Sequence, residues 1–128
     1  MPLSPSRLCD RVQSLLEGLK ELHILLEADT VAPRPPDAVA VQRQVVQLQQ
    51  RLRQILAMIA ETDLTPAIEQ RLRPHQTEAH RRSRLLGIEA MRLQAAKQTA
   101  TIERQRSQLQ AHTQALQQFI QVIADEVC

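Results

Sequence analysis

Two segments of this 128-residue chain repeat apolar residues at alternating spacings of four and three. Such a repeat places its members on one stripe of an α-helix. Because the two stripes match in length, we predict two helices, over about residues 5–27 and 38–61, that pair as an antiparallel hairpin. The stripes consist of Leu8, Val12, Leu15, Leu19, Leu22 and Leu26 in the first segment and of Val41, Val45, Leu48, Leu52, Ile55 and Ile59 in the second.

The amino-acid composition also favours helices over sheets. The chain contains two glycines, one phenylalanine and no tyrosine or tryptophan, whereas β-sheets favour aromatic and β-branched residues. Its length fits one domain with one hydrophobic core. We therefore predict a single all-α domain over residues 1–128.

Capping residues and prolines mark the ends of the first two helices. Ser4 can cap the first helix, and Pro5 suits its first position. Residues 28–37, ADTVAPRPPD, hold three prolines within four positions, which excludes a helix there. They predict a Pro-rich connector whose last residue, Asp37, caps the second helix.

A third helix is predicted to start at Thr65, as its cap, and Pro66, in its first turn. We expect it to reach about residue 97. Pro74 removes a backbone donor and strains the turn before it. The sequence therefore predicts either a kink near Pro74 or a short separate turn over residues 66–73.

The apolar stripe changes phase after the third helix. The stripe of Leu86 and Leu93 lies about 200° around a helix from the stripe that begins at Ile102. If the chain turns between the stripes, a fourth helix over about 101–126 closes an antiparallel four-helix bundle. If it does not turn, one helix of about 50 residues must bury its excess length in a second subunit. We favour a turn near Thr99, because two threonines there can cap a new helix and because the first hairpin needs a partner of its own length.

The predicted fourth helix is unevenly apolar along its length. Its first part offers only Ile102 and Leu109, separated by arginines and glutamines. We therefore expect this first half to pack loosely or to be completed by a partner. The apolar residues of the last part are Leu116, Phe119, Ile120, Ile123 and Val127.

The cysteines and histidines do not have the spacing of a chemical site. Cys9 and Cys128 form no CxxC motif, and with no secretory segment before them we expect a cytoplasmic protein with both thiols reduced and inert. His75 and Glu78 could share a helix face, but His75 and His80 cannot. We predict that the four histidines are ordinary surface residues.

Enzyme motifs are also missing from the sequence. It has no Gly-rich phosphate loop, nucleophile elbow or convergent carboxylate pair, so we predict no enzymatic activity, no cofactor and no bound metal. The formal net charge of +2 is too small to indicate a nucleic-acid partner. No apolar run approaches the roughly 18 residues of a membrane span, so we expect no membrane insertion.

The third helix carries a second face that does not belong to a core. Residues 69–92 contain six arginines and three glutamates. Opposite the Leu86 stripe, arginines surround two apolar residues, which is how protein interfaces are usually organised. We interpret this face as a site for a protein partner, with a solvated surface and a homodimer contact as alternatives. It consists of Arg81, Arg84, Leu85, Ile88 and Arg92.

Residues 76–106, QTEAHRRSRLLGIEAMRLQAAKQTATIERQR, resemble the signature region of the heterocyst-frequency-control family, the PatD-like proteins of cyanobacteria. Residues 63–73 are similar to the segment before it. Lys97 keeps the basic character of a position at which relatives tend to have arginine. The chain departs from the family at Thr99, where relatives tend to have proline, and in the connector at 33–36. The matching residues are Thr77, Glu78, Arg84, Leu85, Leu86, Leu93, Gln94, Ala95, Ala96, Lys97, Gln98, Ala100, Thr101 and Arg104.

This resemblance implies a small, non-enzymatic cytoplasmic regulator. Members of the family limit how many cells become heterocysts and are linked to cell division through contact with FtsZ. Two other functions fit a helical bundle with one unusual face: an export-chaperone-like protein that binds an amphipathic helix, or a structural homodimer.

Overall fold

The computed structural model describes residues 5–27 and 35–128. It contains four helices: α1 (Pro5–Leu26), α2 (Ala38–Glu61), α3 (Pro66–Ala95) and α4 (Thr99–Val127). Each helix packs against the next, and α4 packs against α1, whereas the diagonal pairs do not meet. No strand occurs in the described ranges. The prediction of an all-α, antiparallel four-helix bundle is confirmed.

Both predicted stripes lie in the core, and every one of their twelve side chains is buried. α3 contributes Leu72, Ala79, Leu86, Ala90 and Leu93 to this core, and α4 contributes Leu109, Leu116, Ile120, Ile123, Ala124 and Val127. The core is thus aliphatic. The phenylalanine, Phe119, lies at its edge, with its ring centroid 5.9 Å from that of His75.

The chain reverses direction between α3 and α4, as predicted. Three residues, 96–98, separate the two helices, and this break resets the phase so that Leu93 and Leu109 both face the core. The alternative of one continuous helix is wrong. The proposed capping by threonine is also wrong, because the N-cap of α4 is Gln98 and no side chain caps its amides.

The other helix ends follow their sequence signals closely. The Asp37 carboxylate accepts a hydrogen bond from the Ala40 amide (3.1 Å), and the Thr65 hydroxyl accepts one from the Ile68 amide (3.3 Å). α3 continues through Pro74, so the alternative of a separate turn over 66–73 is wrong, while the kink stays a prediction. The Ser4 cap and residues 28–34 of the connector lie outside the described residues.

The two cysteines form a disulfide, so the prediction of reduced, inert thiols is wrong. Cys9 lies in the first turns of α1 and Cys128 directly follows α4, with 5.2 Å between their Cα atoms. Because α1 and α4 are antiparallel neighbours, residues 119 positions apart meet at one end of the bundle. The sequence separation concealed this pairing, since it depends on the return of the fourth helix.

The first half of α4 is packed by polar side chains. Gln105 and Arg106 are buried. Nη1 of Arg106 lies 3.2 Å from the Glu103 carboxylate, with which it forms an ion pair within the helix. The Gln110 amide donates to the carbonyl oxygen of Leu26 on α1 (3.0 Å). Buried polar side chains thus pack this region together with Ile102 and Leu109, and its looseness or completion by a partner stays a prediction.

Candidate protein-binding site

α3 presents a buried side and an exposed side, as its sequence predicts. Successive residues of a helix are 100° apart, so Ile88 lies about 200° from Leu86 and points away from the core. Arg81, Arg84, Ile88 and Arg92 are exposed, and Leu85 is half-buried. The side chain of Ile88 is 40% exposed. These five residues form one continuous surface, called here the outer face of α3.

The arginines of the outer face differ in their partners. Arg81 lies 3.6 Å from the Glu78 carboxylate, and Arg92 lies 3.1 Å from the carboxylate of Glu89. Glu89 is itself buried between α3 and α4. Arg84 forms no ion pair with any residue in the described ranges. Its guanidinium is therefore available to a carboxylate from outside the chain.

A groove between α2 and α3 extends the outer face, and the sequence analysis missed the contribution of α2. The groove encloses about 250 Å³ beside Ile88. Val46 of α2 (44% exposed) and Met91 of α3 (63% exposed) form its other apolar walls. One signal could have found it: Val39 and Val46 are one heptad apart on α2 and lie outside the core stripe.

Gly87 forms part of the floor of this groove. The Gln49 side chain of α2 crosses over it and donates from its amide to the Ser83 carbonyl oxygen (3.0 Å). A Cβ atom on Gly87 would lie 2.5 Å from Nε2 of Gln49. The glycine therefore permits an interhelical hydrogen bond that a larger residue would displace, and it leaves the floor of the groove without a side chain of its own.

The groove continues toward the middle of α2 and becomes basic. Arg53 of α2 and His80 and Arg84 of α3 line the next section, which encloses about 190 Å³ and shares Gln49 and Arg84 with the first. Arg53, like Arg84, has no ion-pair partner within the described ranges. One end of the groove is thus apolar and its middle is positively charged.

Polar side chains also join α3 to α4. The Arg82 guanidinium lies 3.0 Å from Nδ1 of His112, and the Gln108 amide, with its nitrogen turned toward α3, donates to both Glu89 oxygens (2.8 and 3.1 Å). Burial lowers the pKa of His112, and the adjacent Arg82 charge lowers it further. His112 is therefore a half-buried contact residue, which corrects its prediction as an ordinary surface histidine.

The histidines and carboxylates do not converge on a metal site in the part of the chain that the structure describes. His75 contacts Phe119 and His80 lines the α2–α3 groove, so they lie in different surroundings. None of the described helices has an apolar stretch long enough to span a lipid bilayer.

A second groove lies on the opposite side of the bundle, between α1 and α4. It encloses about 480 Å³, and seven of its eight lining residues are polar or charged. The lining residues are Gln13, Leu16, Glu17, Lys20, Gln114, Gln117, Gln118 and Gln121.

Comparison with known proteins found no protein-family model, no curated protein and no solved structure that matches this chain.

Proposed function

We propose that this protein is an adaptor that binds another protein through the outer face of α3 and catalyses no reaction itself. The exposure of Ile88 is the single observation that carries the proposal. Ile88 is surrounded by arginines on the side of α3 that points away from the core, and it is not part of the buried cluster that forms the monomer's core. Burial of such a residue by a partner would stabilise a complex.

The resemblance of residues 76–106 to PatD-like proteins supports FtsZ as the partner. All five residues of the outer face fall within that segment, and Arg84 and Leu85 belong to the matching positions. The proposed role is control of cell division through FtsZ, with an effect on heterocyst frequency where the source organism forms heterocysts.

Co-sedimentation with purified FtsZ polymers tests this proposal. We expect the wild-type protein to pellet with the polymers and the double variant Leu85→Ser/Ile88→Ser to stay in the supernatant. The matched control is Leu16→Ser/Ile24→Ser, which also changes one half-buried leucine and one exposed isoleucine, but on α1. The control should pellet like the wild type.

Circular dichroism shows whether the outer-face variant is folded. Since Leu85 is half-buried and Ile88 exposed, helicity and melting temperature should stay close to those of the wild type. A variant that unfolds would mean that these residues belong to the core, and equal loss of pelleting by the α1 control would contradict the assignment of the face.

The proposed location is the cytoplasm, as the resemblance implies. The Cys9–Cys128 disulfide argues against this location, because disulfides persist mainly in oxidising compartments. Acid quenching of cells followed by thiol alkylation distinguishes the two kinds of compartment, because each free cysteine that is alkylated increases the measured mass of the protein. A pool with two alkylated cysteines supports a cytoplasmic protein, and a fully oxidised pool contradicts it.

A further inference from the structure

Large exposed hydrophobic residues are concentrated on the α2–α3 side of the bundle. Among the described residues there are five, and four of them lie on these two helices: Val39, Val46, Ile88 and Met91. Three of the four line one groove, together with the small floor residues Gly87 and Ala90. The surface is concave, so it fits an inserted apolar side chain better than a flat lipid surface.

Charge is distributed unevenly between the same pairs of helices. α2 and α3 together carry nine arginines and four glutamates, whereas α1 and α4 carry five basic and six acidic residues. The net charges are therefore +5 and −1. A partner that covers the α2–α3 groove meets a positive surface, and Arg53 and Arg84 offer it two guanidinium groups without carboxylate partners in the described ranges.

The backbone around the groove limits how a partner can bind. Both walls are α-helices whose amides and carbonyls are bonded within the helix, and Gln49 occupies the Ser83 carbonyl. An extended peptide would find no strand edge to pair with. The binding energy must come from side chains, and an amphipathic helix laid between two helices supplies them at regular spacing.

We propose that the α2–α3 groove binds an acidic amphipathic helix of a partner protein, a proposal that rests on the proposed function and specifies its ligand. Apolar residues of the partner helix fill the end of the groove at Val46, Ile88 and Met91. Its carboxylates pair with Arg53 and Arg84. Arg84 lies four positions from Ile88 and seven from Met91. The carboxylates therefore lie about 6 to 10 Å, up to two helical turns, from the apolar anchors.

A synthetic helical peptide of about 18 residues tests the proposal directly. It carries leucines on one face of one half, glutamates two turns away on the same face, and one tryptophan as a fluorescent probe. A second peptide has lysine in place of each glutamate. We expect the glutamate peptide to bind and the lysine peptide not to bind at moderate ionic strength.

Charge reversal identifies the site. The variant Arg53→Glu/Arg84→Glu should weaken binding of the glutamate peptide by about tenfold or more and should gain binding of the lysine peptide. The control Arg11→Glu/Arg104→Glu makes the same change in net charge on α1 and α4, at two other exposed arginines. It should alter the affinity by less than about twofold.

Five outcomes would overturn the proposal. Four of them are no binding of the glutamate peptide, equal binding of both peptides, an equal loss in the control variant, and wild-type protein that sediments as a dimer and dissociates on Ile88→Asp. Binding to phosphatidylserine vesicles that displaces the peptide and is lost in Arg53→Glu/Arg84→Glu would do the same. Failure of the peptide assay overturns the acidic-helix proposal alone. Retained FtsZ pelleting by Leu85→Ser/Ile88→Ser overturns the proposed function.

Discussion

The α1–α4 and α2–α3 grooves are comparable in size but differ in chemistry. The α1–α4 groove encloses about 480 Å³ but is lined mainly by glutamines, and its helices are joined by the Cys9–Cys128 disulfide. The α2–α3 groove encloses about 250 Å³ beside Ile88 and about 190 Å³ in its basic section. It exposes three large apolar side chains and a basic section. Exposed apolar surface, rather than volume, marks the side that a partner can cover.

The largest expected effect concerns the covalent link on the α1–α4 side. A disulfide that closes a loop of about 120 residues restricts the unfolded chain, and the chain-entropy relation gives a stabilisation of about 5 kcal/mol. Reduction should lower the free energy of unfolding by about that amount, measured by urea denaturation followed by circular dichroism.

The double variant Cys9→Ser/Cys128→Ser is the control for reduction, because it should unfold like the reduced protein and should not respond to dithiothreitol. If the peptide binds in the α2–α3 groove, away from the disulfide, this variant keeps its affinity for the glutamate peptide. An oxidised protein as unstable as the double variant would show that the link does not stabilise this side.

The next effect separates the two sides of α3. Leu86 is buried, so Leu86→Ala should destabilise the bundle by about 2–5 kcal/mol. Ile88 is 40% exposed, and Ile88→Ala should change the free energy of unfolding by less than about 1 kcal/mol. Thermal unfolding of both variants measures the contrast. Similar losses at the two positions would mean that the outer face is part of the core.

A smaller effect compares the two glycines, each of which faces α2. A Cβ atom on Gly18 would lie 2.7 Å from a methyl group of buried Leu48, which cannot move away, so Gly18→Ala should destabilise by about 1 kcal/mol. A Cβ atom on Gly87 would meet only the end of the Gln49 side chain. There the gain in helix propensity and the loss of one hydrogen bond are each about 1 kcal/mol.

Gly87→Ala should therefore leave the free energy of unfolding nearly unchanged, while it narrows the groove and lowers the affinity for the glutamate peptide. Urea denaturation and peptide titration of the two alanine variants provide the measurement. If Gly18→Ala were the less destabilising of the two, the close packing of Gly18 against Leu48 of α2 would be contradicted.

The smallest effect is a pH dependence at the α3–α4 contact, away from both grooves. Burial and Arg82 hold the pKa of His112 below its ordinary value of 6.5, against the weaker opposing effect of Glu89. The unfolded chain then binds a proton more readily than the folded one, so this contribution to stability is complete above pH 6.5 and is lost as the pH falls through the lowered pKa.

His112→Gln, which keeps an acceptor for Arg82, should remove this part of the pH dependence in melting curves recorded from neutral to mildly acidic pH. Groove binding of the peptide should not follow the same curve. A wild-type stability that rises on acidification in this range would contradict the direction of the shift.

Most of the fold could be predicted because its signals are local. The α1 and α2 stripes, the Asp37 and Thr65 caps and the change of phase after Leu93 each depend on residues close in sequence. The exposure of Ile88 follows from the same periodicity. These features need only the geometry of a single helix.

The other features depend on how the helices are rotated against one another. The Cys9–Cys128 disulfide requires α4 to return beside α1, and the burial of Gln105 and Arg106 depends on the surroundings of α4. The share of Val46 in the groove depends on which flank of α2 faces α3. The periodicity of one helix does not determine how it is rotated against its neighbours. Only the outer face of α3 could therefore be found from the sequence, and not the contribution of α2 to the groove.

The aliphatic core has a practical consequence for spectroscopy. With no tryptophan or tyrosine and one phenylalanine, the protein has almost no absorbance or emission in the near ultraviolet. In a mixture with a partner, all tryptophan fluorescence therefore comes from the partner, and a blue shift on mixing reports directly on an indole entering the groove. The bundle itself is optically silent, so binding of a tryptophan-containing peptide or partner could be followed without a label.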